Sequence, residues 1–130
     1  MTTLLWCLVI AAFMPIVWGV AGGTQRVRAP GGLDNNTPRR QAATLQGLGE
    51  RLYGAQANAW EAAMMFAPCA LIAHVTGVDP GASGTAGMVF VGARVLHGLF
   101  YAMDLATLRS LIWFVGVGCC IYLVYLAAGQ

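Results

Sequence analysis

The chain has no lysine at all: its formal charge of +2 comes from seven arginines set against five acidic residues. Charged residues make up only 9% of the 130, where an ordinary soluble domain carries about 25%. With 58% hydrophobic residues and a mean hydropathy of +0.68, this argues against a water-soluble domain, because so short a chain leaves too much of its surface exposed to hide that apolar area. A nucleic-acid interface is disfavoured too. Five arginines (Arg26, Arg28, Arg39, Arg40 and Arg51) crowd into one segment that reads as a membrane-flanking loop. There is no Cys–His pair, no glycine-rich phosphate loop and no cluster with metal-ligand spacing, so no metal is expected. Cys7, Cys69, Cys119 and Cys120 all fall inside apolar runs, where cysteine packs as a small hydrophobe.

What remains is an all-α pattern with one domain over 1–130 and helices expected at about 4–20, 38–76, 82–103 and 108–128. The first apolar run lacks a positive n-region and exceeds the ~7–15 residues of a signal-peptide core. It is read as a retained transmembrane helix in which Pro15 introduces a kink. Residues 22–37, rich in Gly, Pro, Asn and Arg, read as a loop. Thr37 and Pro38 make an N-cap and a first-turn residue for a helix expected to continue unbroken to 76. "GVDPG" at 77–81 is a tight turn, and Asp104 suits a turn or cap between the last two helices.

Arginine placement puts the first and third connections on the cytoplasmic side and both termini on the other. A bacterial inner membrane suits so short a chain. Ser83, Gly87, Gly92, Gly116 and Cys120 offer small residues for close helix contacts.

Two polar stripes run into these apolar segments. Arg51, Gly54, Asn58 and Glu61 stand at i, i+3, i+7 and i+10, which is one face of a helix. Arg94, His97, Tyr101 and Asp104 repeat the spacing. Gln56 lies on another flank of its helix, toward a different neighbouring helix or subunit. A charged side chain at mid-bilayer costs roughly 2.5–3.5 kcal/mol even on a lenient scale. Glu61 and Arg94 are therefore expected to face protein or a polar cavity, and each other. Taken alone they suit a structural ion pair as well as a functional site. The additional donors Asn58, Arg51, Tyr101 and Arg109 favour a site that takes an anion.

"ERLYGAQANAWEAAMMF" (50–66) resembles the signature of the MAPEG proteins (membrane-associated proteins in eicosanoid and glutathione metabolism), roughly E-R-x-x-R-A-Q-x-N-x-x-E-x-x-P-x-F. Arg51, Ala55, Gln56, Asn58, Glu61 and Phe66 stand in matching places. "GARVLHGLFYAMDLATLRSLIWFVG" is similar to the family's third and fourth helices. Gly54 stands where the signature has its second arginine, Ala62 where a tyrosine is frequent, Met64 at the proline and His97 at a further tyrosine.

The resemblance implies a membrane four-helix bundle assembled as a homotrimer, with glutathione as co-substrate bound between subunits and a hydrophobic small molecule reaching it from the membrane lipid. It implies that Asn58, Glu61 and Gln56 hold the glutathione backbone, that Tyr101 lies at the site, that Arg109 stabilises the thiolate and that Arg26 or Arg28 joins as a loop arginine. Arg51, Arg94 and His97 complete the candidate binding set.

Such a ligand needs guanidinium forks for its carboxylates, a carboxylate such as Glu61 for its ammonium group, and a cation beside sulfur. Other readings stay open. Arg109 suits a lipid phosphate, Tyr101 an aromatic belt, and His97 a packing role. The expected function is a glutathione-dependent transferase or peroxidase acting on lipophilic electrophiles. A non-catalytic relative in which Glu61 and Arg94 form a structural ion pair is the alternative. A small transporter or proton pathway through Glu61, Arg94 and His97 is a third.

Overall fold

The computed structural model describes residues 1–130. Every element is helical: α1 (Thr3–Arg28), α2 (Pro38–Thr44), α3 (Leu48–Val75), α4 (Pro80–Ala102) and α5 (Ala106–Ala128). Three of them, α1, α4 and α5, are long and apolar enough to cross a membrane. At about 1.5 Å per residue α3 is longer still, but its first half carries Glu50, Arg51, Gln56, Asn58 and Glu61.

The apolar side chains are arranged as the surrounding oil dictates. Phe13, Ile16, Val17, Leu111, Phe114 and Ile121 point outward, while small residues make up much of the interior around a few large ones such as Phe66, Phe90 and Leu123. With lipid outside there is no hydrophobic gain in burying large side chains, so close approach of backbones supplies the packing instead. On α3 the buried face reads Ala55, Ala59, Ala62, Phe66, Ala70, Ala73, a regular i+3/i+4 row. Phe66 stacks on Phe90 of α4 with ring centroids 3.9 Å apart. On α4, Gly84 and Gly87 lie against Thr3, Leu4 and Cys7 of α1, so these two helices close to backbone distance. Of the small residues expected to pack closely, Ser83, Gly87, Gly116 and Cys120 are buried. Gly92 is exposed, with nothing near it.

Two boundaries differ from the expectation. Helix α1 runs on to Arg28, past the point where its apolar periodicity stops. Gly22 is buried, and a Cβ there would meet the Tyr53 ring at 2.8 Å, so packing against α3 carries the helix through the polar stretch. The helix expected at 38–76 is two helices. It breaks because Leu45 is extended and Gly47 takes a left-handed φ of 63°, a conformation open to glycine and costly for other residues. Thr37 occupies the N-cap of α2 without capping it by a side-chain hydrogen bond. Its hydroxyl instead donates to Asp34 Oδ2, and Asp34 Oδ1 accepts from the amides of Asn36 at 2.9 Å and Thr37 at 3.0 Å.

The turn after α3 closes on Gly77 (φ 79°), with Val78 N–H donating to Ala73 O and Gly77 N–H to His74 O. The turn after α4 repeats that hydrogen-bond pattern around Asp104 (φ 62°): Leu105 N–H donates to Phe100 O and Asp104 N–H to Tyr101 O. Both are helix ends in which a left-handed residue lets the chain satisfy its last carbonyls. The second turn brings the start of α5 back beside the polar end of α4.

Candidate functional site

The two polar stripes meet across the α3–α4 contact. Arg94 Nη2 donates to Asn58 Oδ1 at 2.5 Å, and Asn58 Nδ2 donates to Glu61 Oε2 at 3.1 Å. Arginine can only donate and a carboxylate accepts, so both neighbours fix the orientation of the amide. The ion pair expected between Glu61 and Arg94 is therefore not direct, because Asn58 stands between them as a neutral bridge. Arg94 is 4% exposed and its Nε has no hydrogen-bond partner. Glu61 is exposed on the chain surface beside the exposed Trp60 and Met64.

From Arg94 the line continues toward the α4 terminus. Arg94 Nη2 also lies 3.2 Å from His97 Nδ1, and the His97 ring abuts Tyr101 edge-on with centroids 5.8 Å apart. The Arg109 guanidinium covers the Tyr101 ring, 4.2 Å from its centroid, at a distance where the ring face attracts a cation. Tyr101 reaches this place because residue 54 has no side chain. A Cβ there would fall 2.6 Å from Tyr101 Oη. The position at which the family signature carries an arginine is filled here by the tyrosine of the neighbouring helix.

Asn58, His97, Tyr101 and Arg109 line one cleft of about 320 Å³, together with Ser110, Trp113 and Phe114. The last three escaped the sequence reading. Their signal was available: 109, 110, 113 and 114 form one face at the start of α5. Ser110 donates to Ala106 O at 3.0 Å, and Trp113 and Phe114 are exposed, stacked edge-to-face.

Other candidates are placed elsewhere. Arg51 ties the end of α4, with Nε donating to Ala102 O at 3.1 Å and Nη1 lying 3.8 Å from Asp104 Oδ2. Gln56 faces α1, where a Cβ on Gly19 would meet its amide nitrogen at 2.5 Å, so it is turned away from the cleft. Arg28 lines a separate polar hollow of about 560 Å³ with Gln25, Gln41, Thr44 and Gly49. Arg26 is committed to the loop: Nε donates to Gln41 Oε1 at 2.9 Å and Nη2 to Asp34 O at 2.6 Å.

The cleft thus presents an unpaired guanidinium held over an aromatic ring, hydrogen-bond donors along one wall and an aromatic rim. It suits an anionic or thiolate group brought next to an apolar molecule. A family model described as the MAPEG family matches residues 3–129. No curated protein matches the sequence.

Proposed function

The chain belongs to the MAPEG family, and from that premise we propose that it is a glutathione-dependent transferase or peroxidase acting on lipophilic electrophiles. One observation carries the reading: Arg109, stacked on Tyr101 and free of any ion pair, lines the same cleft as Asn58 and His97. A thiol has an ordinary pKa of about 8.5, and an opposite charge within a few ångströms lowers such a value by about 1–3 units. The free face of Arg109 supplies that charge, and the thiolate is the nucleophile. Glu61 takes the ligand's ammonium group. The electrophile approaches past Trp113 and Phe114 from the lipid.

The assembly is a homotrimer of four-helix membrane bundles. Its support is the exposed Glu61 with Trp60 and Met64 around it, since a carboxylate left facing acyl chains is costly and a neighbouring copy covers it. Binding in this reading is shared between copies, which accounts for a cleft of only about 320 Å³ in one chain. The membrane is a bacterial inner membrane, with both chain termini on the non-cytoplasmic side.

A second reading, a family member without catalysis, draws on the replacement of the signature's second arginine by Gly54 and on the engagement of Arg51 with Ala102 and Asp104. Thermal unfolding of the detergent-solubilised chain with millimolar glutathione separates the two. The enzyme reading expects a rise in melting temperature and a thiolate ultraviolet band that Arg109→Ala abolishes more strongly than it weakens binding. No shift with glutathione leaves the non-catalytic reading standing.

A further inference from the structure

His97 has one nitrogen committed and one free. Its Nδ1 lies 3.2 Å from Arg94 Nη2, and a guanidinium has no lone pair to offer, so Nδ1 is the acceptor and carries no proton. The imidazole is then neutral, with its hydrogen on Nε2. That second nitrogen has no partner within the chain. Nor is it sealed: the one buried side-chain nitrogen or oxygen without a partner is Arg94 Nε, so Nε2 keeps accessible surface although the residue as a whole is 3% exposed. The His97 side chain lines the cleft together with Arg109, Trp113 and Phe114.

On the reading of this cleft as a glutathione site, we infer that His97 Nε2–H is an oxyanion donor for the electrophile, and that the substrate class is a membrane-borne α,β-unsaturated carbonyl compound. In the step, glutathione thiolate attacks the β-carbon and a carbon–sulfur bond forms. The π pair of the double bond shifts toward the carbonyl, leaving an enolate whose oxygen bears the negative charge. His97 Nε2–H donates a hydrogen bond to that oxygen. The α-carbon then takes a proton from water, and the hydroxide left recovers the proton released when the thiol ionised. The sum is addition of the thiol across the double bond, with no oxidant or reductant.

The donor's chemistry selects this class. A neutral imidazole shares its N–H but does not release it readily, which suits an oxygen needing charge stabilisation more than an alkoxide leaving group needing a proton. A fixed donor of this kind, aimed where charge develops, is worth about 10²–10³ in kcat. Arg94 acts through His97 and is a positioning residue, holding the tautomer from the Nδ1 side.

Two measurements on the full-length protein in detergent test the inference. In a His74→Ala background, which leaves one imidazole, 15N-labelled histidine at neutral pH is expected to show a pyridine-like Nδ1 and a pyrrole-like Nε2. Arg94→Met is expected to turn this into a mixture of tautomers. A protonated Nδ1 or an imidazolium in the Arg94 protein overturns the inference, whatever glutathione does. In kinetics, His97→Phe is expected to lower kcat for a long-chain enone about 100-fold more than it lowers the rate with a long-chain alkyl iodide, whose charge departs on iodide. His97→Gln, which retains an N–H donor, recovers part of the enone rate. Equal losses on both electrophiles, or none, refute the donor role alone. A wild-type chain that conjugates glutathione to neither electrophile removes the glutathione reading and this inference with it.

Discussion

Tyr101 rests on the bare backbone of Gly54. A Cβ built at residue 54 would lie 2.6 Å from Tyr101 Oη, 2.7 Å from Cζ and 2.8 Å from Cε1, closer than side-chain carbons approach. The ring has little freedom to swing aside, with Arg109 over one face and His97 against its edge. Gly54→Ala is expected to cost about 1–3 kcal/mol of stability, as overpacking does, and to dislodge Arg109 from its seat. Thermal unfolding in detergent reads the first effect, and loss of the glutathione-induced thiolate band reads the second. Gly118→Ala, where nothing lies within 4 Å, is the matched control. An unchanged melting temperature in Gly54→Ala refutes the contact.

Asn58 carries a different burden, as the neutral link between a buried cation and an exposed carboxylate. Removing it in Asn58→Leu leaves Arg94 with His97 as its one polar contact, and a lost hydrogen bond to a charged group costs about 1.5–3 kcal/mol. Asn58→Asp gives Arg94 a direct counter-ion but sets a carboxylate against Glu61, which accepts from residue 58 at 3.1 Å. The double variant Asn58→Asp/Glu61→Gln is therefore expected to melt higher than Asn58→Asp alone. Additive losses in that pair would show that Glu61 does not sense residue 58.

How much of the fold and of the site is legible in the sequence depends on the range of the interaction. The stripes on α3 and α4 were readable from spacing, and Asn58, Arg94, His97 and Tyr101 do come together. Spacing assigns a face but not the height or reach of each side chain. Hence the Glu61–Arg94 pair was expected as direct, when an intervening amide separates the two. The break at Gly47 was hidden because hydrophobic periodicity hardly registers a backbone turn that depends on one positive φ. The extension of α1 to Arg28 was hidden because Gly22 against Tyr53 and Arg26 against Gln41 are tertiary contacts between segments far apart in sequence. Spacing sets Gln56 off the stripe, but that it meets Gly19 of α1 and not the cleft is a tertiary contact that only the fold shows.

The connection between α1 and α2 should respond to acid. Hydrogen bonds from the Thr37 hydroxyl and the Thr37 amide, with smaller help from the Asn36 amide and the charge of Arg40, hold the Asp34 carboxyl below its ordinary value, which is about 3.9. A depressed carboxyl stabilises the fold fully above that ordinary value and loses its contribution as pH falls through the lower, folded one. The melting-temperature gap between wild type and Asp34→Ala is thus expected to be constant near neutrality and to close at strongly acidic pH. A gap that widens as pH falls contradicts the assignment. Comparing the two proteins at each pH cancels the titration of the other carboxyls.

At the other side of the site, Arg51 makes two contacts of unequal worth with the end of α4. The pair with Asp104 is long, at 3.8 Å, and its carboxylate is largely exposed, so it contributes no more than about 1 kcal/mol. The hydrogen bond to Ala102 O satisfies a carbonyl at a helix end that has few other partners, and a charged donor makes such a bond worth about 1.5–3 kcal/mol. Asp104 also sits at a φ of 62°, where a side chain costs about 1–2 kcal/mol and glycine costs little. Asp104→Gly therefore exchanges a weak pair for backbone relief and is expected to leave the melting temperature level or slightly raised. Asp104→Val, branched at Cβ in the same conformation, is expected to lower it clearly. Arg51→Met loses the carbonyl contact and is expected to cost more than Asp104→Gly. If Arg51→Met and Asp104→Gly instead lower the melting temperature equally, the ion pair, and not the carbonyl, is what fastens the two helices.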